Sequence, residues 1–174
     1  MNDLNNNLLK LKSLVSSLNQ LSFNNIKELY PHCKITLIND LPKIKNNKDY
    51  PIILLVLNSE EEKQGHYIVL NSVKDERKNI IFDPLGQFGL INMPNCNEET
   101  KNYLLSNSNQ EVIQSLDSNC CGILCLLYIY INMISYCPTK TFLKMINNTR
   151  EFEPNKNIIN YLINLILLMI HFKD

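Results

Sequence analysis

The chain reads as an α+β domain, and three stretches of sequence say so. Ile52 to Leu57 is apolar at every position, as in a strand covered on both faces. Two further runs, His66 to Val73 and Asn79 to Phe82, flank the polar Lys74-Asp75-Glu76-Arg77-Lys78, which is the pattern of an antiparallel hairpin. From Cys121 to about Tyr136 the residues are almost wholly apolar over about four helical turns. A helix apolar all round belongs in the centre of a fold.

The other elements follow in order. Leu4, Leu8, Leu11, Val15 and Leu18 recur at three- and four-residue steps among polar residues, predicting an amphipathic helix over about 1–21 whose stripe packs on the body. Lys34 to Ile38 suits a short strand, Asp40-Leu41-Pro42 a turn, and Ile44 to Asp49 a polar loop. Asn58 to Gly65 is a charged turn before the hairpin. Glu98 to Leu105 reads as a short helix and Glu111 to Gln114 as a short strand. Phe142 to Ile146 and Asn157 to Phe172 complete the list as helices, with no repeat and no linker to divide residues 1–174.

Composition narrows the function classes. A chain of 174 residues with 45% hydrophobic content can bury a core without metals or disulfide staples. Seventeen basic residues balance seventeen acidic ones, so no strong global field draws the protein to nucleic acid or an anionic membrane. The N-terminus lacks a basic segment followed by an apolar signal core, which points to an intracellular protein whose six cysteines are mostly thiols. Those cysteines lack paired C-x-x-C spacing, so structural zinc is not expected. The apolar run from Cys121 is too short and interrupted to span a bilayer.

Four residues have sequence settings that suit thiol chemistry. His66 opens one strand of the expected hairpin and Asp83 closes the other, so the return of the chain brings them together. Cys121 precedes Gly122 at the start of the apolar helix, and Gln114 lies seven positions before it across a polar segment. A free thiol near pKa ~8.5 is mostly protonated at neutral pH and needs its anion stabilised. Free N–H groups of a helix start and a histidinium would both do so. Asp83 would fix the imidazole's orientation and tautomer. The Gln114 side-chain amide and the Cys121 backbone N–H would donate to an oxyanion, and Gly122 would let a substrate backbone approach. Cys120 is the competing nucleophile, and Cys125, one turn beyond Cys121, reads as a small buried hydrophobe. His32 and His171 have no such company and read as structural or solvent-facing.

The stretch from Gln114 through Asn119-Cys120-Cys121-Gly122 to Cys125, preceded by Gly65-His66-Tyr67 and Phe82-Asp83-Pro84-Leu85-Gly86, resembles the adenain family of adenoviral maturation proteases. The same order of residues occurs in the wider group that includes SUMO-specific proteases. The resemblance covers roughly residues 34–135 and implies a central helix carrying the nucleophile, packed on a mixed, mostly antiparallel sheet and flanked by further helices. It implies a thiol endopeptidase that cleaves viral capsid or core precursors at glycine-containing sites during virion maturation. The setting would be the virion and the infected cell, and the source a virophage or Maverick-type element. Tyr67 stands where the adenoviral enzymes carry Trp beside the catalytic ring, which makes it, with Gly122, a candidate substrate contact. Asp83 stands where they carry Glu, and Asp is the acid of the SUMO-protease branch. The chemistry implied needs no cofactor and no membrane, and a monomer suffices. Activation by a short viral peptide or by DNA is a further implication, with the charge balance weighing against DNA and with Cys33, Cys96 or Cys137 available for disulfide attachment of a peptide. The alternatives are a deconjugating isopeptidase acting on ubiquitin-like tails, an inactive assembly module, and an acetyltransferase using the same order of residues.

Overall fold

The computed structural model describes residues 2–17, 20–45, 47, 49–71, 80–114, 119–135, 137, 139–147 and 156–172. Its architecture is α+β: a four-stranded mixed sheet with helices on both faces. The sheet order is β1 (Cys33–Leu37), β2 (Ile52–Leu57), β3 (His66–Asn71) and β4 (Ile80–Phe82). β1 pairs with β2 in parallel, while β2 with β3 and β3 with β4 pair antiparallel. The parallel step needs a crossover, which residues 38–51 provide through a 3-10 helix, Ile38–Lys43, that absorbs the expected turn at Asp40-Leu41-Pro42.

The two-sided burial expected of Ile52–Leu57 is observed, and it divides the core. Ile53, Leu55 and Leu57 join Tyr67, Val69 and Phe82 on one face, under α1 (Asn2–Ser17), α2 (Phe23–Leu29), α5 (Cys121–Ile134), α6 (Thr139–Asn147) and α7 (Lys156–His171). Ile52, Leu54 and Val56 join Ile68, Leu70 and Ile81 on the other, under the 3-10 helix, α3 (Gln87–Ile91) and α4 (Glu98–Asn107). Strict alternation along a strand is what lets one apolar run serve two layers. α5, buried at nearly every position, packs on β3. The α1 stripe of Leu4, Leu8, Leu11 and Val15 is buried as expected, against α7 and α2, while Leu18 lies outside the described residues.

Three expectations need correction or extension. Residues 111–114 form no strand: the N–H groups of Ile113 and Gln114 both donate to the Pro84 carbonyl, at 3.0 and 3.1 Å. The outer edge of the three-residue β4 is met instead by Ser108 and Asn109, which bond to Ile81 before the chain reaches residues 111–114. α2 was not expected. It starts at a capping box in which the Ser22 hydroxyl accepts from the Asn25 N–H and the Asn25 side chain accepts from the Ser22 N–H. α3 was also not expected, and follows directly from Gly86. The hairpin's polar centre, with Val73 and Asn79, lies outside the described residues.

Candidate active site

The ends of β3 and β4 and the start of α5 meet at one place. The β3–β4 register sets Val69 against Phe82. Carried one residue past β4, it puts Asp83 beside Ile68, diagonal to His66 on the same side of the sheet. The contact follows: His66 Nε2 lies 2.6 Å from Asp83 Oδ1. Asp83 is fully buried and His66 nearly so. The turn after the strand aims the carboxylate, because the Leu85 N–H donates to the same Oδ1 at 2.8 Å and the Gly86 N–H to the Asp83 carbonyl at 3.0 Å. Gly86 has φ +66° and ψ −178°, a backbone conformation open essentially to glycine alone. A β-carbon there would also sit 2.9 Å from the Gln110 carbonyl oxygen.

Asp83 occupies Nε2 of the ring, and the Cys121 thiol is coupled to the same imidazole by charge and hydrogen bonding. Cys121 is the first residue of α5, with Cys120 outside it as the cap. Burial pushes the Cys121 thiol up, yet the net direction is down: the hydrogen bond and charge of His66 and the backbone N–H groups of Tyr67 and Gly122 outweigh it. Burial likewise pulls His66 down, but the Asp83 charge and hydrogen bond, joined by Cys121, lift it to about 10. Both shifts favour a thiolate beside an imidazolium, the state that attacks carbonyls. The neighbouring Cys125 goes the other way, pushed up by burial and then by the Cys121 charge, and its thiol donates to the Tyr67 carbonyl at 3.4 Å.

Gln114 is buried, and its backbone is tied to Pro84, the residue after the acid. Tyr67 is buried too, on β3. Packing gives Gly122 a further reason for being glycine. A β-carbon there would lie 2.5 Å from Ile26 Cδ1 and 3.2 Å from the Tyr67 ring, so α2 and β3 fill the space a side chain would need. A cleft of about 320 Å³ opens beside Tyr67 and Gly65, walled also by Leu21, Phe23 and Leu55, and neither His66 nor Cys121 lines it.

The remaining cysteines are buried thiols outside any disulfide. Cys33, Cys96 and Cys137 are each raised, burial being the main cause. His32 stacks on Tyr50 with ring centroids 3.6 Å apart. Among the described residues no group of three or more His, Cys, Asp or Glu is placed to hold a metal ion, and no helix is long and apolar enough to cross a membrane.

One polar residue of the site escaped the sequence reading. Asn109 bonds to both main-chain groups of Asp83. In an asparagine-rich chain its identity carries no signal, and only the path of the backbone reveals it. No protein-family model, curated protein or solved structure matches the chain.

Proposed function

We propose that the chain is a virus-encoded cysteine endopeptidase that cleaves capsid or core precursor proteins at glycine-containing sites during virion maturation. One observation carries the chemistry: a single buried imidazole bonds to a carboxylate at 2.6 Å and is coupled by charge and hydrogen bonding to the thiol at the start of a helix. The substrate class and the viral setting rest on the resemblance of the residues around His66, Asp83, Gln114 and Cys121 to the adenain family.

In this reading the Cys121 thiolate attacks the scissile carbonyl carbon, forming a C–S bond as the carbonyl electron pair moves to oxygen. The Gln114 side-chain amide and the Cys121 backbone N–H donate to that oxyanion. Collapse breaks the C–N bond, and the leaving amine takes the proton of the His66 imidazolium. The neutral ring then removes a proton from the water that attacks the thioester. The acid product departs, the thiolate returns, and the ring is again protonated. Asp83 orients the ring. The cleft beside Tyr67 is available to substrate residues flanking the bond.

The test is mass spectrometry of new peptide termini after incubating a glycine-containing peptide library with wild type and Cys121→Ala. Termini present only with wild type are expected. Their absence would sink the assignment, and reaction instead with ubiquitin- or SUMO-derived C-terminal probes would move it to an isopeptidase.

A further inference from the structure

We propose that Asn109 is a positioning residue of this site, holding the main chain of Asp83 so that its carboxylate meets His66. The inference rests on the cysteine-protease reading and adds a residue to it. The Asn109 carboxamide works as a surrogate peptide group. Its Oδ1 accepts from the Asp83 N–H at 2.7 Å, and its Nδ2 donates to the Asp83 carbonyl at 2.8 Å. The same Nδ2 donates to the Glu111 carbonyl at 2.8 Å. Chemistry fixes this orientation, since only the oxygen can accept from an N–H and only the nitrogen can serve two carbonyls.

The position matters because the sheet ends here. β4 stops at Phe82, and past it the following turn supplies the Asp83 carbonyl with the Gly86 N–H and the carboxylate with the Leu85 N–H, but gives the Asp83 N–H no acceptor. A buried main-chain N–H without a partner is costly. Asn109 closes that gap from a segment that is itself anchored. Its own N–H donates to the Ile81 carbonyl at 3.3 Å, its carbonyl accepts from the Gln87 N–H at 2.8 Å, and Ser108 bridges to Ile81. Four and five residues on, the same segment returns to Pro84 with Ile113 and Gln114. Asn109 thus joins the stretch bearing the acid to the stretch leading to Gln114. It touches neither the sulfur nor the imidazole, so it acts only through Asp83.

The experiment measures the rate of Cys121 alkylation by iodoacetamide against pH, with the modified residue identified by mass spectrometry, in wild type, Asn109→Ala and Asn107→Ala. Asn107 lies two residues away and donates to the Tyr103 carbonyl within its own helix, so its variant reports general loosening. Thermal melting and circular dichroism verify folding. The expected result is a folded Asn109→Ala protein whose Cys121 profile moves up by about one pH unit, a tenfold loss of thiolate on the acid side, with Asn107→Ala matching wild type. A folded Asn109→Ala protein with the wild-type profile overturns the proposal, as does an equal shift in Asn107→Ala. Should Asn109→Ala fail to fold, Asn109→Ser, which keeps an acceptor oxygen, takes its place under the same criteria. Failure of both to fold would make the residue a determinant of stability alone and overturn the proposal equally. If wild-type Cys121 itself alkylates like an ordinary thiol, the protease reading fails before the variants are compared.

Discussion

At the scale of single residues, the site depends on one ring serving two partners. Because the thiolate and imidazolium titrate as a unit, peptide cleavage should follow a bell in pH. Its acid limb should lie below the ordinary thiol range, since Cys121 is lowered, and its alkaline limb near the value of about 10 to which His66 is raised. A wild-type profile rising only through the ordinary thiol range would contradict the pairing. Replacing Asp83 by Asn should leave the fold but cut kcat by roughly two to four orders of magnitude, by analogy with the same change in a serine triad. Gly86→Ala addresses the turn instead. The residue would be forced into a glycine-only conformation against the Gln110 carbonyl, so urea unfolding should show a loss of about 1–3 kcal/mol. The pairing of His66 with Asp83 was legible in the sequence, because two strand ends joined by a hairpin must meet. The packing constraint on Gly122 was not, because it comes from Ile26, on a helix too short to show in the sequence pattern.

At the scale of elements, legibility tracked length and period. α1, α5 and α7 each span several turns of consistent pattern and were read within a few residues of their ends. α2 has only seven residues and a capping box closed by Asn25 rather than the usual Glu or Gln, and five-residue α3 has too little pattern to register. Residues 111–114 show the opposite: a strand pattern where the edge of β4 is already met by Ser108 and Asn109. α5 is held to its neighbours by specific polar links as well as by burial. The Tyr128 ring stacks on Phe82 at 4.4 Å, while its hydroxyl accepts from Asn71 Nδ2 and bonds to Thr139 Oγ1, both at 2.9 Å. Tyr128→Phe keeps the stack and removes the hydroxyl that links β3, α5 and α6. It should cost about 1–2 kcal/mol in the urea midpoint, whereas no change would mean the hydroxyl links contribute nothing net.

At the scale of the whole molecule, two opposed titrations shape stability. His66 has a folded pKa above its unfolded one, so its contribution is complete below the ordinary histidine value and is lost as pH rises through about 10. Cys121 is lowered on folding, so its contribution is present above the ordinary thiol value and is lost as pH falls through its folded value. Between these limits the slopes oppose each other. Unfolding free energy should therefore rise out of acid, level off, and fall as pH approaches about 10, and a continuous rise all the way up to that pH would contradict the His66 shift. The thiols, finally, differ in their exposure to chemical damage. Burial raises Cys33, Cys96, Cys125 and Cys137, whereas Cys121 is drawn toward its anion. Peroxide attacks thiolates in preference to thiols. Oxidative stress would therefore convert Cys121 to a sulfenic acid ahead of those four, silencing the protein reversibly while its two-layered core stays intact.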